Sequence, residues 1–258
     1  MSRIIKTNNL QFNYGDKNIL KDLSIDMEKG LFYSIIGPNG SGKTTLLKLL
    51  ANILPSTKKT IYIDNEDIHN ITKRNIAKKL SVVPQITNIN YEFTVLDIVM
   101  MGRSPYISRF GKIDNKDTDI VMKAMEETGV IHLKDNKVTN LSGGELQRVV
   151  IARALAQETE IMLLDEPISH LDIGYQYEIT ELVYKLCRDK GITIINIVHD
   201  LNIAMRYSDK ILMLKDGKIY RYGQPLDVIT KNTIKDVYAI DVEIINHPVL
   251  HNQKVIVK

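Results

Sequence analysis

Apolar positions along the chain fall into short β-type runs in its first and last thirds and into helix-period stripes between them. Residues 10–14 and 19–25 read as short strands, and residues 31–36 form an unbroken apolar run whose length and flanking turns predict a buried strand. Gly37, Gly40 and Gly42 follow at once, and residues 43–51 then read as a helix. The order is strand, glycine loop, helix. Further aliphatic runs at residues 81–83, 161–164 and 192–198 are separated by segments long enough for crossover helices, as parallel strands require. Residues 175–190 form such a helix: Ile179, Leu182, Val183 and Leu186 make one stripe, and Gly191 stands where a C′ glycine belongs.

Between residues 86 and 160 the pattern is helical. It predicts helices over 95–101, over 114–128 with acidic residues in the first turn and Gly129 after the last, and over 143–157. Sheet patterning then returns, with a hairpin over 210–222 that turns at Asp216-Gly217, a type I′ signal. The expected architecture is a single α/β domain over 1–258. A mostly parallel sheet core with an antiparallel β part (1–86 and 161–222) is interrupted by an α-helical subdomain (87–160) and followed by a small appendage (223–258). No internal repeat or low-complexity linker is visible.

Composition narrows the class. The chain has 258 residues, 44% of them hydrophobic, and 34 basic against 31 acidic side chains for a net charge of +3; this excludes disorder and fibrous repeats as the main organisation. The longest stretch without Asp, Glu, Lys or Arg is the 13 residues 30–42, whereas a membrane span needs about 20 apolar residues. The chain is therefore expected not to cross a bilayer alone, and residues 1–10 show no secretory leader. Cys187 is the only cysteine, which excludes an internal disulfide and fits a reducing, cytoplasmic compartment. Clusters such as Lys58 with Lys59, or Lys73, Arg74, Lys78 and Lys79, read as solvated faces rather than a nucleic-acid surface.

Three stretches carry chemistry. Gly37-Pro38-Asn39-Gly40-Ser41-Gly42-Lys43-Thr44, followed by Thr45, matches the phosphate-binding loop. Its glycines let backbone N–H groups face an anion, the helix N-terminus adds positive potential, Lys43 reaches the β/γ-phosphates and Thr44 can ligate Mg²⁺. Asp165 and Glu166 end the apolar run 161–164, where a strand's carboxyl end faces the ligand crevice; Asp165 can hold Mg²⁺ and Glu166 can orient and deprotonate an attacking water. Finally, Leu141-Ser142-Gly143-Gly144-Glu145 opens a helix, where Ser142 can serve as N-cap and phosphate donor.

With the other two motifs, this last stretch resembles the signature of the ATP-binding cassette (ABC) ATPases, and the similarity extends over nearly the whole chain. The resemblance implies a P-loop NTPase of RecA-like fold that hydrolyses ATP with Mg²⁺. Tyr14 resembles the aromatic that stacks on adenine. Gln85, in Val82-Val83-Pro84-Gln85, resembles the glutamine that touches Mg²⁺ and water. Ser169-His170-Leu171-Asp172 resembles the D-loop at a dimer interface, and His199 the switch histidine near the γ-phosphate. In such enzymes the signature of one copy acts in trans on the phosphate loop of another, so the resemblance implies a homodimer enclosing two ATP molecules. It also implies that the helical subdomain grips a membrane permease.

Phe93-Thr94-Val95-Leu96-Asp97, Met101-Gly102-Arg103-Ser104-Pro105-Tyr106, Arg109-Phe110-Gly111 and the run from Asp165 to Asp172 are similar to the ATPase subunits of bacterial importers for iron-siderophores, haem and cobalamin. So is the tail, Val237-Tyr238-Ala239-Ile240-Asp241-Val242 through His247-Pro248. Ile168 stands where Thr is common and Tyr106 where His is common; neither departure removes a catalytic group. The implied setting is the cytoplasmic face of the plasma membrane, with separate permease subunits and, indirectly, an extracytoplasmic substrate-binding protein. The alternatives are a soluble regulatory or ribosome-associated cassette, which usually fuses two cassettes in one chain, an importer ATPase for another metal or solute, and a P-loop kinase or GTPase, which the signature disfavours. His69, His132, His247 and His251 lack a functional placement, and Pro248 argues against a shared helical face for the last two.

Overall fold

A computed structural model describes residues 2–85, 92–108, 111, 113–246 and 253–258. Ile86, Arg109, Phe110, His247, Pro248 and His251 lie outside the described residues. In chain order the elements are strands β1 (Arg3–Tyr14), β2 (Lys17–Glu28) and β3 (Phe32–Ile36), helix α1 (Lys43–Leu50), strands β4 (Ile61–Ile63) and β5 (Glu66–Asp67), helix α2 (Lys73–Lys79) and strand β6 (Leu80–Val83). Helices α3 (Val95–Met100), α4 (Asn115–Glu127) and α5 (Gly143–Ala156) follow, then β7 (Ile161–Asp165), α6 (Ile173–Lys190), β8 (Thr193–Ile197) and α7 (Leu201–Tyr207). Hairpin strands β9 (Lys210–Lys215) and β10 (Lys218–Gly223) lead into α8 (Pro225–Val228), α9 (Lys231–Tyr238) and a second hairpin of β11 (Val242–Asn246) and β12 (Gln253–Val257). Two compact units result, residues 1–71 with 193–258, and residues 72–192.

In the first unit, β3 lies between β8 and β9 and parallel to both, while β10 pairs antiparallel with β9. Every residue of β3 and β8 is buried. Strands covered on both faces read as continuous apolar runs, and for that reason these two were legible from sequence. An antiparallel sheet in the order β2-β1-β4-β5 makes up the rest of the β structure apart from the tail hairpin. β1 and β2 extend well beyond their apolar runs, because the ladder from Arg3↔Glu28 to Tyr14↔Lys17 continues through polar positions across several register shifts. Two tyrosines tie this sheet to the parallel one: the Glu28 N–H donates to the Tyr33 hydroxyl at 2.6 Å, and the Tyr222 hydroxyl donates to the Asp26 carbonyl at 2.7 Å. Burial pushes the Tyr33 phenol up to about 12 and raises Tyr222 as well, so both stay neutral partners. Lys210 pairs with Glu28 at the same junction. The β9–β10 turn has φ values of 51° at Asp216 and 76° at Gly217, the type I′ geometry that the dipeptide predicts.

In the second unit, β6 and β7 pair in parallel from Leu80↔Ile161 to Val83↔Leu164. Helices α3, α4 and α5 stand where residues 95–101, 114–128 and 143–157 predict them, and each start is capped. Thr94 with Asp97 and Ser142 with Glu145 form capping boxes, and the Asp114 carboxylate accepts from the Asp117 N–H. Arg103 is the polar hub: its Nε donates to Asp117 at 2.8 Å and its Nη1 to the Ala156 carbonyl at 2.7 Å and Glu158 at 2.8 Å. Its guanidinium also lies 4.1 Å from the Tyr106 ring centroid, and the Tyr106 hydroxyl donates to the Gln157 carbonyl. Cys187 is buried on α6. Among the described residues no helix is long and apolar enough to cross a membrane.

Only 3% of Arg103 is exposed, so removing it would strand the Asp117 carboxylate against apolar helices. Arg103→Ala is expected to lower stability by about 3 kcal/mol, with Arg103→Lys in between because an ammonium cannot span the same acceptors. Urea unfolding of the full chain checks this, and an unchanged midpoint for Arg103→Ala would contradict it.

Candidate nucleotide site

The phosphate loop leaves the carboxyl end of β3 in the first unit. At Gly37, φ is 147°, and a Cβ there would sit 2.2 Å from the Leu214 carbonyl oxygen, so only glycine fits. Gly42 caps α1 at φ 101° and ψ 8° with no side-chain hydrogen bond to the helix start. A helix start that carries no side-chain cap is the kind of N-terminus that receives an anion. A Cβ at Gly42 would meet the Leu20 side chain at 2.5 Å, so β2 presses the loop from that side.

Lys43 is buried and donates to the Gly37 carbonyl at 2.9 Å and the Pro38 carbonyl at 3.1 Å, which folds its ammonium back over the loop. Ser41 Oγ is buried and has no hydrogen-bond partner among the described residues. A cradle without room for Cβ atoms, an uncapped helix start, a cation and an unsatisfied hydroxyl are together the requirements of a phosphate group. Pro38, Thr44 and Thr45 are half-buried at the loop's flanks, and Asn39 and Gly40 are exposed at its tip. Tyr14, 49% exposed at the end of β1, packs edge-on against Phe12 at 4.9 Å and presents its ring to solvent. His199 is exposed just after β8, and Asp200 behind it caps α7 by accepting from the N–H groups of Asn202 and Ile203.

The second unit holds the other predicted residues. Asp165 is buried at the end of β7, and Glu166 follows at φ 50°, a left-handed conformation that a non-glycine residue adopts only when its surroundings enforce it. Here the enforcement is visible. Gln85 Nε2 donates to Glu166 Oε2 at 2.8 Å, while the N–H and hydroxyl of Ser169 donate to the Glu166 carbonyl at 3.3 and 3.1 Å. A glutamine and a serine from separate segments are thus brought together around Glu166. Thr44, Gln85 and Asp165 all offer hard oxygen donors, the chemistry that suits Mg²⁺.

The signature places Ser142 at the N-cap of α5. Its N–H and its hydroxyl both donate to Glu145 Oε2 at 2.8 Å, and its oxygen accepts from the Glu145 N–H at 3.3 Å. These bonds hold the Glu145 carboxyl below the usual carboxylate range. The Ser142 hydroxyl proton is engaged by Glu145, so any phosphate at this helix start would compete with that carboxylate for it. Leu141 is half-buried and Gly143 exposed. Gly144 is buried, because a Cβ would lie 2.6 Å from the Tyr175 ring. Nothing local in the sequence links Tyr175 to the signature; the contact exists only in the folded chain. In the D-loop, Ser169, His170 and Asp172 face solvent and Leu171 is half-buried.

Residues 20–169 match the ABC transporter family. The chain is 40% identical to the iron(3+)-hydroxamate import ATP-binding protein FhuC of Bacillus subtilis over 95% of its own length and 91% of the relative's. It is 38% identical to the ferric enterobactin transport ATP-binding protein FepC of Escherichia coli over 93% and 89%. Among solved structures, a chain of a metal-chelate type ABC transporter in an inward-facing conformation superposes with a TM-score of 0.88 at 28% identity, covering 100% of this chain and 98% of that one. A dimeric ATP-binding cassette in a post-hydrolysis state with ADP and Pi superposes at 0.74 and 29%, covering 86% and 99%. The fold and phosphate loop are those of a nucleotide-hydrolysing cassette. The chain belongs to the ABC transporter family and is an ATP-binding, ATP-hydrolysing member of it.

Gly37→Ala is expected to weaken ATP binding at least about tenfold and to cost about 1–3 kcal/mol of stability, because it adds a Cβ against a backbone carbonyl at a positive φ. Titration with a fluorescent ATP analogue beside a urea melt checks both, and wild-type affinity would contradict the cradle geometry.

Proposed function

We propose that the chain is the ATPase subunit of an importer for an iron chelate or cobalamin, acting as a dimer bound to a separate membrane permease at the cytoplasmic face. The observation that carries this reading is end-to-end similarity, 40% identity over 95% of the chain, to a relative whose name assigns it to iron(3+)-hydroxamate import. Petrobactin and cobalamin import ATP-binding proteins, each 36% identical, support the same substrate range.

In this reading Lys43, Ser41 and the first turn of α1 bind the β- and γ-phosphates, and Tyr14 stacks on adenine. Thr44, Gln85 and Asp165 would hold Mg²⁺, which would neutralise phosphate charge there. Glu166 orients the attacking water and takes its proton, Gln85 holds the Glu166 carboxylate in place, and His199 contacts the γ-phosphate. Ser142, Gly143 and Gly144 close over the ATP of the second copy. The exposed apolar side chains of Ile173, Tyr175 and Tyr177, beside the D-loop, give that copy a surface to cover. Phe93, Met101 and Ile113 are exposed in the helical segment and offer the corresponding grip for the permease.

Glu166→Gln is expected to reduce ATP turnover by about 10²–10⁴-fold while leaving ATP affinity intact, and the variant should elute as a dimer only with ATP. Turnover near wild type would remove Glu166 as the base. At the level of transport, cells lacking the chain should lose uptake of one member of a panel of labelled ferric hydroxamate, ferric catecholate, haem and cobalamin. Unimpaired uptake of all four would overturn the substrate assignment and leave the ATPase assignment standing.

A further inference from the structure

In the proposed dimer the signature and the D-loop both face a second copy, and within one chain they also touch each other. Helices α5 and α6 start side by side, with contacts that keep step along both. A Cβ at Gly143 would lie 3.4 Å from Leu171 Cδ2, an ordinary van der Waals distance, and Arg148 Nη2 donates to Glu178 Oε2 at 2.7 Å. Between them Gly144 is far tighter: a Cβ there would lie 2.6, 2.9 and 3.0 Å from Cδ1, Cε1 and Cγ of Tyr175, three adjacent atoms of one ring. The ring rests on a bare Cα, so even one added methyl must push either the ring or the start of α5 aside.

The D-loop reaches this contact already braced. Ser169 bonds the Glu166 carbonyl, the Leu171 N–H donates to the Ile168 carbonyl at 3.2 Å, and Gln176 Nε2 donates to the Leu171 carbonyl at 2.9 Å. Asp172 gives α6 no side-chain cap, so the helix start depends on these bonds and on what packs beside it. Of the three contacts with α5, the Arg148–Glu178 pair lies at the surface, where ion pairs contribute little, and Leu171 leaves Gly143 room. The Tyr175 ring is the contact that sets the spacing of the two helix starts.

We infer that Tyr175 is a positioning residue for the signature: its ring, seated on Gly144 of the same copy, fixes where the start of α5 stands against the D-loop. The second signature glycine then answers to a contact within its own chain. Tyr175 touches no reacting atom and acts through the signature backbone. The inference rests on the proposed reading of Ser142, Gly143 and Gly144 as closing over the ATP of the second copy. Because the phosphate loop serves the copy's own ATP and the signature serves the other, a displaced signature weakens dimer assembly and leaves the ATP affinity of the single copy unchanged.

The test uses the full chain carrying Glu166→Gln, with three readings: the ATP concentration that half-assembles the dimer, the ATP affinity of the monomer, and the urea midpoint. Gly144→Ala is expected to raise the ATP concentration needed by about tenfold and to lower the midpoint, as an overpacked contact does, with monomer affinity unchanged. Tyr175→Ala alone is expected to raise it about threefold to tenfold, and Tyr175→Phe, which keeps the ring, to match the parent. Once the ring is gone, adding Gly144→Ala should change assembly by less than about twofold, because the two effects share one contact. An equal loss from Gly144→Ala with and without the ring would overturn the inference, since the glycine would then answer to nucleotide. Rescue seen in the urea midpoint alone, with assembly alike in every variant, would leave a packing contact and overturn the positioning role. Complete loss of the dimer in Tyr175→Ala would assign the ring to the second copy and overturn it as well. Should Gly144→Ala fail to fold, recovery of folding and assembly in Gly144→Ala with Tyr175→Ala is the same rescue, and an unfolded double variant overturns it. Gly143→Asp, which sets a carboxylate where the phosphate of the second copy would lie, is the control: if it assembles normally, the reading of the signature has failed rather than the role of Tyr175.

Discussion

Strand β3 is buried along its whole length, and the chain leaving it must turn at Gly37 against the Leu214 carbonyl with no space for a side-chain carbon. Much of the first unit follows from that constraint. β8 and β9 flank it in parallel, as suits a strand covered on both faces, and these neighbours bring His199 and Leu214 to the same end of the sheet. The turn then aims an uncapped helix start, a buried lysine and an unsatisfied serine hydroxyl into one cradle. The buried Ser41 hydroxyl is costly without a partner, since buried polar groups seek one.

The second unit uses local hydrogen bonding in the same way, to hold groups where their own preferences would not. Glu166 keeps a left-handed backbone because Ser169 binds its carbonyl and Gln85 its carboxylate. The strain and the bonds that enforce it occur at the residue assigned to water activation, which is where stored strain is most often found. The Ser142–Glu145 box does two jobs at once, starting α5 and engaging the Ser142 hydroxyl, the group we propose as a phosphate donor. Arg103 holds α4 to the end of α5 through three acceptors, giving that helical array a fixed geometry on which exposed apolar side chains can be presented.

Legibility from sequence differed between elements for identifiable reasons. β3, β7, β8 and the helices α3 to α6 were visible because each carries its own periodicity and its own stop or start residue, such as Gly191 or Asp114. The full lengths of β1 and β2 were not, because their outer halves alternate with polar residues. β4 and β5 are too short for a period to register, with three and two residues. Within the candidate site, Lys43, Asp165 and Glu166 stand in contiguous motifs and needed no partner to be recognised. Tyr175, which makes Gly144 obligatory, and Ser169 as a support for the Glu166 backbone became visible only through contacts.

The sequence by itself determined the chemistry that runs along the chain: a loop of backbone amides ending in a lysine, carboxylates at a strand end, and a capped helix opening with two glycines. Those motifs are local because phosphate binding uses successive N–H groups and capping uses residues three apart. The tertiary structure alone decided which distant residues hold them still. Tyr238 packs against the cluster that holds Ile36, Val255 clasps Asn202, and Arg103 finds Glu158, each through packing that brings together segments with no shared pattern. Periodicity reports which face of an element is buried; the partner across that face is set by register and close packing, which no single segment encodes.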